Sequence, residues 1–528
     1  MINHKRTKNS FFLLLFIISI ALVILFNNLG NIEIYALDEV KNATCAIEMM
    51  QADNLVVPTF NGYLRGDKPP LHYYFMIGAY KIFGVNEFSA RFFSAIMGIF
   101  TLLITFYYCK QWLGYSAAMF TSFVLLASIF FTFEFHLAVP DPYLIFFMSL
   151  GFFSFYQHFK KPHLFTLSIL YISLGLAALA KGPVAIALPG LAIIIFLVVT
   201  KNLTLPIILQ FKPWVGLLII LAVTLPWYLS VHNQTAGEWT ELFFFKHNFN
   251  RFTNEMEGHG GLFLLTFAYV LAGMLPFSLF LVQAFRQAIL DKTNHFLIFS
   301  AIVSGTIIVF FSISTTKLPN YTMPAYPFLA ILLGYYFSNF KNTHQSWAFS
   351  VWLFVVLCLF FPFAIYFGLE AEKSLLQFQY IAFYFSYLPI AGLLSVILYY
   401  KKRYQATFSI IATSFILLNL LFFGEVLPTL DDANPVKKSV NILKNEDTIV
   451  AFGLFNPAYV FYLKKVIPVY SEVNELKNIP GNQDVFIIMR EQNLERLDEF
   501  DNIQIIFKGK DLFEKPVSTI VKWEREVE

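Results

Sequence analysis

The chain has 528 residues, of which 57% are hydrophobic, 19% aromatic and only 13% charged. Soluble domains carry about 25% charged residues, so most of this surface is expected to face lipid rather than water. The net charge of +3 is too small to point to a nucleic-acid partner. Cys45, Cys109 and Cys358 have no spacing that suits a zinc site or a redox pair, and are read as packing residues.

After Lys5, Arg6 and Lys8 the sequence runs apolar over 11–29. That run is about the length that crosses a bilayer, and no small-residue cleavage site follows it, so it reads as a retained first span. Twelve further apolar runs follow, at 92–108, 115–133, 143–156, 164–180, 184–199, 215–231, 262–284, 296–314, 321–336, 347–367, 380–400 and 406–423. Hydrocarbon offers no partner to a free backbone amide, so all thirteen are expected to be helices. Lysine and arginine favour the cytoplasmic ends of such helices. With the N-terminus inside, the inner loops hold Lys110, Lys160, Lys161, Lys201, Arg286, Lys341 and Lys401-Lys402-Arg403, whereas the short outer loops hold little beyond Lys181, Lys317 and Lys373. The C-terminus then falls outside.

The expected fold is a polytopic α-helical membrane protein with about thirteen transmembrane helices and a small extracytoplasmic α/β domain. Residues 1–430 form the membrane part, with outer loops at 30–91 and 232–261 that carry interfacial helices such as 72–83. Residues 431–528 are charged, with strand patterns at 448–455, 466–470, 485–489, 503–507 and 519–523 and helical patterns at 457–465 and 493–500.

The outer loops gather ionisable groups: Asp38, Glu39, Arg65, Asp67, Lys68, Glu134, His136, Asp141, Lys181, His247, Arg251 and Lys317, with Tyr321 beside the last. Charges at this depth are costly unless they pair or line a cavity. Taken singly, an outer lysine can simply contact headgroups, and Asp141 before Pro142 can simply cap a helix. Together they suit transfer from a phosphate-linked donor. Lys68, Lys181, Arg251 and Lys317 could neutralise a leaving phosphate. A carboxylate could take the proton of an attacking hydroxyl, and a carboxylate with an imidazole could hold a divalent ion. A transporter or lipid flippase would share the helices and the charge bias, but such proteins place charges at mid-membrane, and these spans are nearly charge-free.

Several pieces occur in a particular order: Asp38-Glu39; Val57-Pro58-Thr59-Phe60-Asn61-Gly62 leading to Asp67-Lys68-Pro69-Pro70; 83–91; Asp141; Lys181-Gly182-Pro183; 247–252; and 317–327. In this order the chain resembles the GT-C membrane glycosyltransferases, specifically the aminoarabinose lipid A transferase-like family, related to the protein O-mannosyltransferases. The resemblance covers about residues 30–330. It implies GT-C architecture and an inverting hexosyl- or pentosyltransferase. The sugar would pass from a polyprenyl-phosphate donor to a hydroxyl or phosphate of lipid A, another glycan or a protein. The site would lie on the periplasmic face of a bacterial inner membrane. It also implies that Asp38, Asp141 and Lys68 are catalytic and that Asp67 and His247 are associated with a bound divalent metal ion as cofactor. Glu39, Arg65, His136, Lys181, Arg251, Lys317 and Tyr321 are the expected substrate contacts. The chain departs from the family pattern at Asp67, where glutamate is usual, and at 134–140, where His136 stands in place of a usual arginine.

A reporter that is active only after export, fused behind Asp431, should be active. Activity of a cytoplasmic reporter at that position would move the C-terminal domain inside.

Overall fold

The computed structural model describes residues 2–34, 37–249, 261–481 and 483–525, with side chains outside the description at 2–11, 37 and 247–249. Each of the thirteen apolar runs is helical over most of its length. Among the described residues, seven helices are by themselves long and apolar enough to cross a membrane, or eight with one bent pair, so thirteen exceeds the number that meet both conditions. The run at 262–284, expected to be one helical span, is broken. Its helices Leu265–Gly273 and Phe277–Leu290 meet at 112°. Pro276, at the break, has no amide to continue the ladder.

In chain order, α1 (Ile2–Leu25) leads into the first long loop, which is well structured. It contains α2 (Leu37–Gln51), the strands β1 (Thr59–Phe60) and β2 (Tyr63–Leu64), and α3 (Leu71–Phe83). The two strands are joined by Asn61-Gly62, both at positive φ (53° and 78°), as a tight hairpin turn of this pair requires. The Glu48 carboxylate accepts hydrogen bonds from the Thr59 hydroxyl at 2.6 Å and from the Asn61 and Gly62 amides at 2.6 and 3.2 Å, tying the hairpin to α2. The chain then continues as α4 (Glu87–Leu113), α5 (Tyr115–Ala127), α6 (Ile129–Glu134), α7 (Asp141–Lys160), α8 (Leu164–Lys181) and α9 (Val184–Val199).

One buried ion pair locks the loop to the bundle. Arg91, near the start of α4, donates to both Glu39 oxygens at 2.7 and 2.9 Å. It also donates to the carbonyls of Leu29 and Ile32 at 3.0 and 2.6 Å, while Glu39 accepts the Ala138 amide at 2.9 Å. The end of α1, α2, α4 and the turn before α7 therefore meet at one pair of side chains.

The C-terminal segment folds as a five-stranded mixed sheet in the order β4-β3-β5-β7-β6. Its strands are β3 (Ile449–Phe452), β4 (Val469–Tyr470), β5 (Val485–Arg490), β6 (Ile503–Lys510) and β7 (Val517–Trp523), with β3 parallel to both β4 and β5. All five stretches read as strands are strands. This sheet does not stand apart from the membrane part. Ile34, Tyr73 and Tyr80 of the first loop share one apolar core with Val436, Tyr459, Phe461 and Ile488. Asn61 exchanges two hydrogen bonds with the Ile467 backbone at 2.9 and 2.8 Å.

Removing one partner of a buried ion pair strands the other charge, at a cost of about 3–5 kcal/mol. Arg91→Met and Glu39→Gln should each lower the thermal midpoint of the detergent-purified protein markedly, and the double variant should lose less than the sum of the two. Additive losses would mean that the pair is not coupled.

Candidate active site

A cavity of about 280 Å³ opens where the first loop meets the ends of α7, α8 and the 317–325 segment. Asp67, Lys68, Asp141, Lys181, Ser314, Asn320 and Tyr321 supply its polar groups. Leu144, Met148, Val184, Phe243, Phe310 and Phe311 make an apolar wall. A charged end on an apolar trough matches a ligand with a phosphate head and a hydrocarbon tail.

Local sequence explains each placement. Asp141 is the first residue of α7 and Lys181 the last of α8, so the hairpin of these two helices brings the carboxylate and the ammonium together as an ion pair. Gly182 ends α8 at φ +84°, a conformation glycine adopts without strain. A Cβ there would lie 2.5 Å from the Phe243 ring. Lys181 also sits 5.2 Å over the ring of Tyr321, which ties the third element of the site to the same cation.

Asp38 stands at the start of α2, its Oδ2 3.8 Å from Lys68 Nζ and its Oδ1 4.0 Å from Arg65. Its side chain is 58% exposed, whereas Asp141 is buried against Lys181. The Lys68 ammonium, and after it Arg65, holds the Asp38 carboxyl below the usual 3.8. Arg65 is itself buried and forks onto both Asp67 oxygens at 2.6 and 3.0 Å. The Arg65 carbonyl accepts from Trp239 at 2.9 Å, so the second long loop braces this stretch.

Several expected contacts lie elsewhere. Glu39 is fully buried in the Arg91 pair, so the substrate contact expected of it is corrected to a structural tie. His136 is also corrected: it lies buried outside this cavity, with its ring stacked 3.7 Å from that of Phe423 and its Nδ1 2.7 Å from the Thr132 carbonyl. Burial pushes it down to about 4, which keeps it neutral. Arg65 acts on the cavity through Asp67 and Asp38 rather than by lining it. Lys317 is buried behind the wall and donates to the Ser314 carbonyl at 2.7 Å. The His247 side chain and Arg251 lie outside the described residues. Among the described residues no three His, Cys, Asp or Glu side chains converge as metal ligands, and both Asp67 oxygens carry the Arg65 fork. A metal at Asp67 would compete with that fork, and its expected partner, the His247 side chain, lies outside the described residues.

Two residues were given no role from the sequence. Arg91 is the buried anchor described above. Glu134 is buried beside Asp141 and Lys181, with Oε1 unpartnered among the described residues. A lone glutamate at a helix end gives no pattern signal; its meaning comes from the neighbours that folding supplies.

The family model for dolichyl-phosphate-mannose-protein mannosyltransferases matches residues 67–229. Across 96% of this chain and 97% of the other, the fold superposes at a TM-score of 0.81 and 20% identity on ArnT from Cupriavidus metallidurans, a structure solved bound to undecaprenyl phosphate. The chain has the GT-C fold of that transferase. An uncharacterized protein of Aquifex aeolicus is 28% identical over 84% of this chain and 86% of its own. The undecaprenyl phosphate-alpha-4-amino-4-deoxy-L-arabinose arabinosyl transferase of Shewanella sediminis is 28% identical over 63% of this chain. The chain spans 61% of that relative's length. The archaeal oligosaccharyltransferase AglB of Archaeoglobus fulgidus shares the fold at a TM-score of 0.53 and 11% identity.

Gly182→Ala should strain the turn and press on Phe243, at about 1–3 kcal/mol for the backbone alone, and displace Lys181 from Asp141. Phosphate-ligand affinity should fall by at least tenfold in a protein that still folds. Unchanged affinity would show that the position of Lys181 does not matter.

Proposed function

We propose that the chain is an inverting glycosyltransferase that takes a sugar from a polyprenyl-phosphate donor and passes it to an acceptor on the extracytoplasmic face. The observation that carries this reading is that Lys68, with Asp38 3.8 Å from it, and Lys181 stand at one end of an apolar trough. The names of the related arabinosyl transferases support it.

In this reading the donor's phosphate lies between the Lys68 and Lys181 ammoniums and its hydrocarbon chain follows the Phe310–Phe311 wall. The acceptor oxygen forms a bond to the anomeric carbon while the carbon–phosphate oxygen bond breaks. The electron pair of that bond leaves with the polyprenyl phosphate, whose growing negative charge the two lysines stabilise more than they do the intact donor. Where the acceptor is a hydroxyl, its proton passes to the Asp38 carboxylate. Asp38 suits this task better than Asp141. It is accessible and kept ionised by its neighbours, while Asp141 is buried and already engaged. Asp141 is then a positioning residue, the resting partner that Lys181 exchanges for the phosphate when the donor binds. The lipid A, glycan or protein identity of the acceptor is set outside this cavity, and the sugar is a pentose or a hexose.

Asp38→Asn should bind the lipid-linked donor normally and lose turnover by at least ~10²-fold, as expected for a missing general base. In the intact enzyme kcat/KM should stay level as pH falls, dropping only below the ordinary aspartate value, because Lys68 and Arg65 hold the carboxylate ionised. Lys68→Met removes the larger of those charges and should move that acid limb upward. Near-normal turnover of Asp38→Asn would take the base role away from it.

A further inference from the structure

A second cavity, of about 800 Å³, lies where the C-terminal sheet meets the first outer loop. Its position follows from the strand order. The chain leaves β3, returns as β4 on one side, then crosses to β5 on the other, so the connections diverge between β3 and β5. In sheets built this way the loops at the carboxyl ends of the diverging strands leave a crevice that takes ligands. Here those loops are Gly453-Leu454-Phe455 after β3 and Glu491-Gln492 after β5, and both line the cavity. The opposite wall belongs to the membrane part, with Lys41 of α2 and Phe60 of the hairpin.

The charges are unequal in a useful way. Arg490 is committed to Asp511 and Glu491 to Lys508. Lys41 and Lys515 line the same space without an ion pair or hydrogen bond among the described residues. Glu514, the remaining lining carboxyl, is half-buried, and burial together with Asp511 pushes it up toward its neutral form. Two spare ammoniums, the Gln492 amide and the rings of Phe60 and Phe455 suit an anionic saccharide. The ammoniums meet the anion, the amide meets hydroxyls, and the rings meet the apolar face of a sugar.

Lys41 links this crevice to the proposed base. It lies three residues after Asp38 on α2, which places both on one side of the helix about 4.5 Å apart along its axis. Its charge acts on Asp38 and on Glu514 alike. We propose that the crevice between the C-terminal sheet and α2 is the head-group site for the acceptor, selecting a saccharide that carries a phosphate or carboxylate and presenting it to Asp38. This rests on the glycosyl-transfer reading and adds to it the acceptor's chemical class and a task for the C-terminal domain.

The test uses the purified full-length chain in detergent and measures binding of glucose 6-phosphate, glucose, inorganic phosphate and undecaprenyl phosphate. Glucose 6-phosphate should bind at least tenfold more tightly than either glucose or inorganic phosphate. Its affinity should fall at least tenfold in Lys41→Ala/Lys515→Ala and stay unchanged in Lys68→Met. Undecaprenyl phosphate should do the reverse, which also confirms that the double variant is folded. The proposal is overturned if glucose 6-phosphate does not bind, binds the double variant as well as the wild type, or loses affinity only in Lys68→Met. Equal affinity for glucose or for inorganic phosphate would likewise sink it, by removing the charge or the sugar from recognition. Loss of undecaprenyl phosphate binding in the wild type would instead strike the donor reading itself.

Discussion

The Glu39–Arg91 pair is the constraint on which the site's geometry depends. Two charges taken out of water lose several kcal/mol of hydration each, and a pair repays that only with good geometry and further hydrogen bonds. Here the guanidinium meets the carboxylate with two parallel bonds, and it also donates to the carbonyls of Leu29 and Ile32 in the stretch after α1. The carboxylate in turn accepts the Ala138 amide, three residues before Asp141. Neighbouring residues on either side of this lock, Asp38 and Asp141, are thereby fixed in relation to one another although more than a hundred residues separate them in sequence. A buried ion pair makes sense here because it sets register between elements, whatever its net effect on stability.

Charge is used differently a few residues away. Asp141 neutralises Lys181, and Asp67 neutralises Arg65, so the cavity is not left with bare cations in an apolar surround. Asp38 is the exposed member of the set and has the looser contacts, at 3.8 and 4.0 Å. A phosphate entering the site could therefore exchange partners with these groups rather than meet them desolvated and unpaired. His136 and Lys317 do not line this cavity: His136 Nδ1 and Lys317 Nζ each meet a nearby carbonyl instead.

Sequence reading reached much of this because long apolar runs and loop charge follow from bilayer physics alone. It also found the five C-terminal strands, whose alternation and β-branched content are local signals. It failed where the third dimension decides. Glu39 sits beside Asp38 in sequence, yet adjacent helical positions point in different directions, so one faces the site and the other the Arg91 lock. His136 looked available because a turn was expected to be open, and packing against Phe423 closes it. The kink at Pro276 was present as a proline within an apolar run, but its angle depends on the helices it packs against. The Asn61-Gly62 turn was legible in principle, whereas its junction with Ile467 joins residues 406 positions apart and has no sequence signature.

The central claim is that Lys68 and Lys181 together hold the phosphate of a lipid-linked donor beside Asp38. The most direct measurement is an experimental structure of this chain with undecaprenyl phosphate bound. The account predicts phosphate oxygens within ~3 Å of both ammoniums, Lys181 turned from Asp141 toward the ligand, and the hydrocarbon chain along Phe310 and Phe311. A phosphate bound away from both lysines, or a Lys181 still closed on Asp141 with the ligand in place, would contradict it.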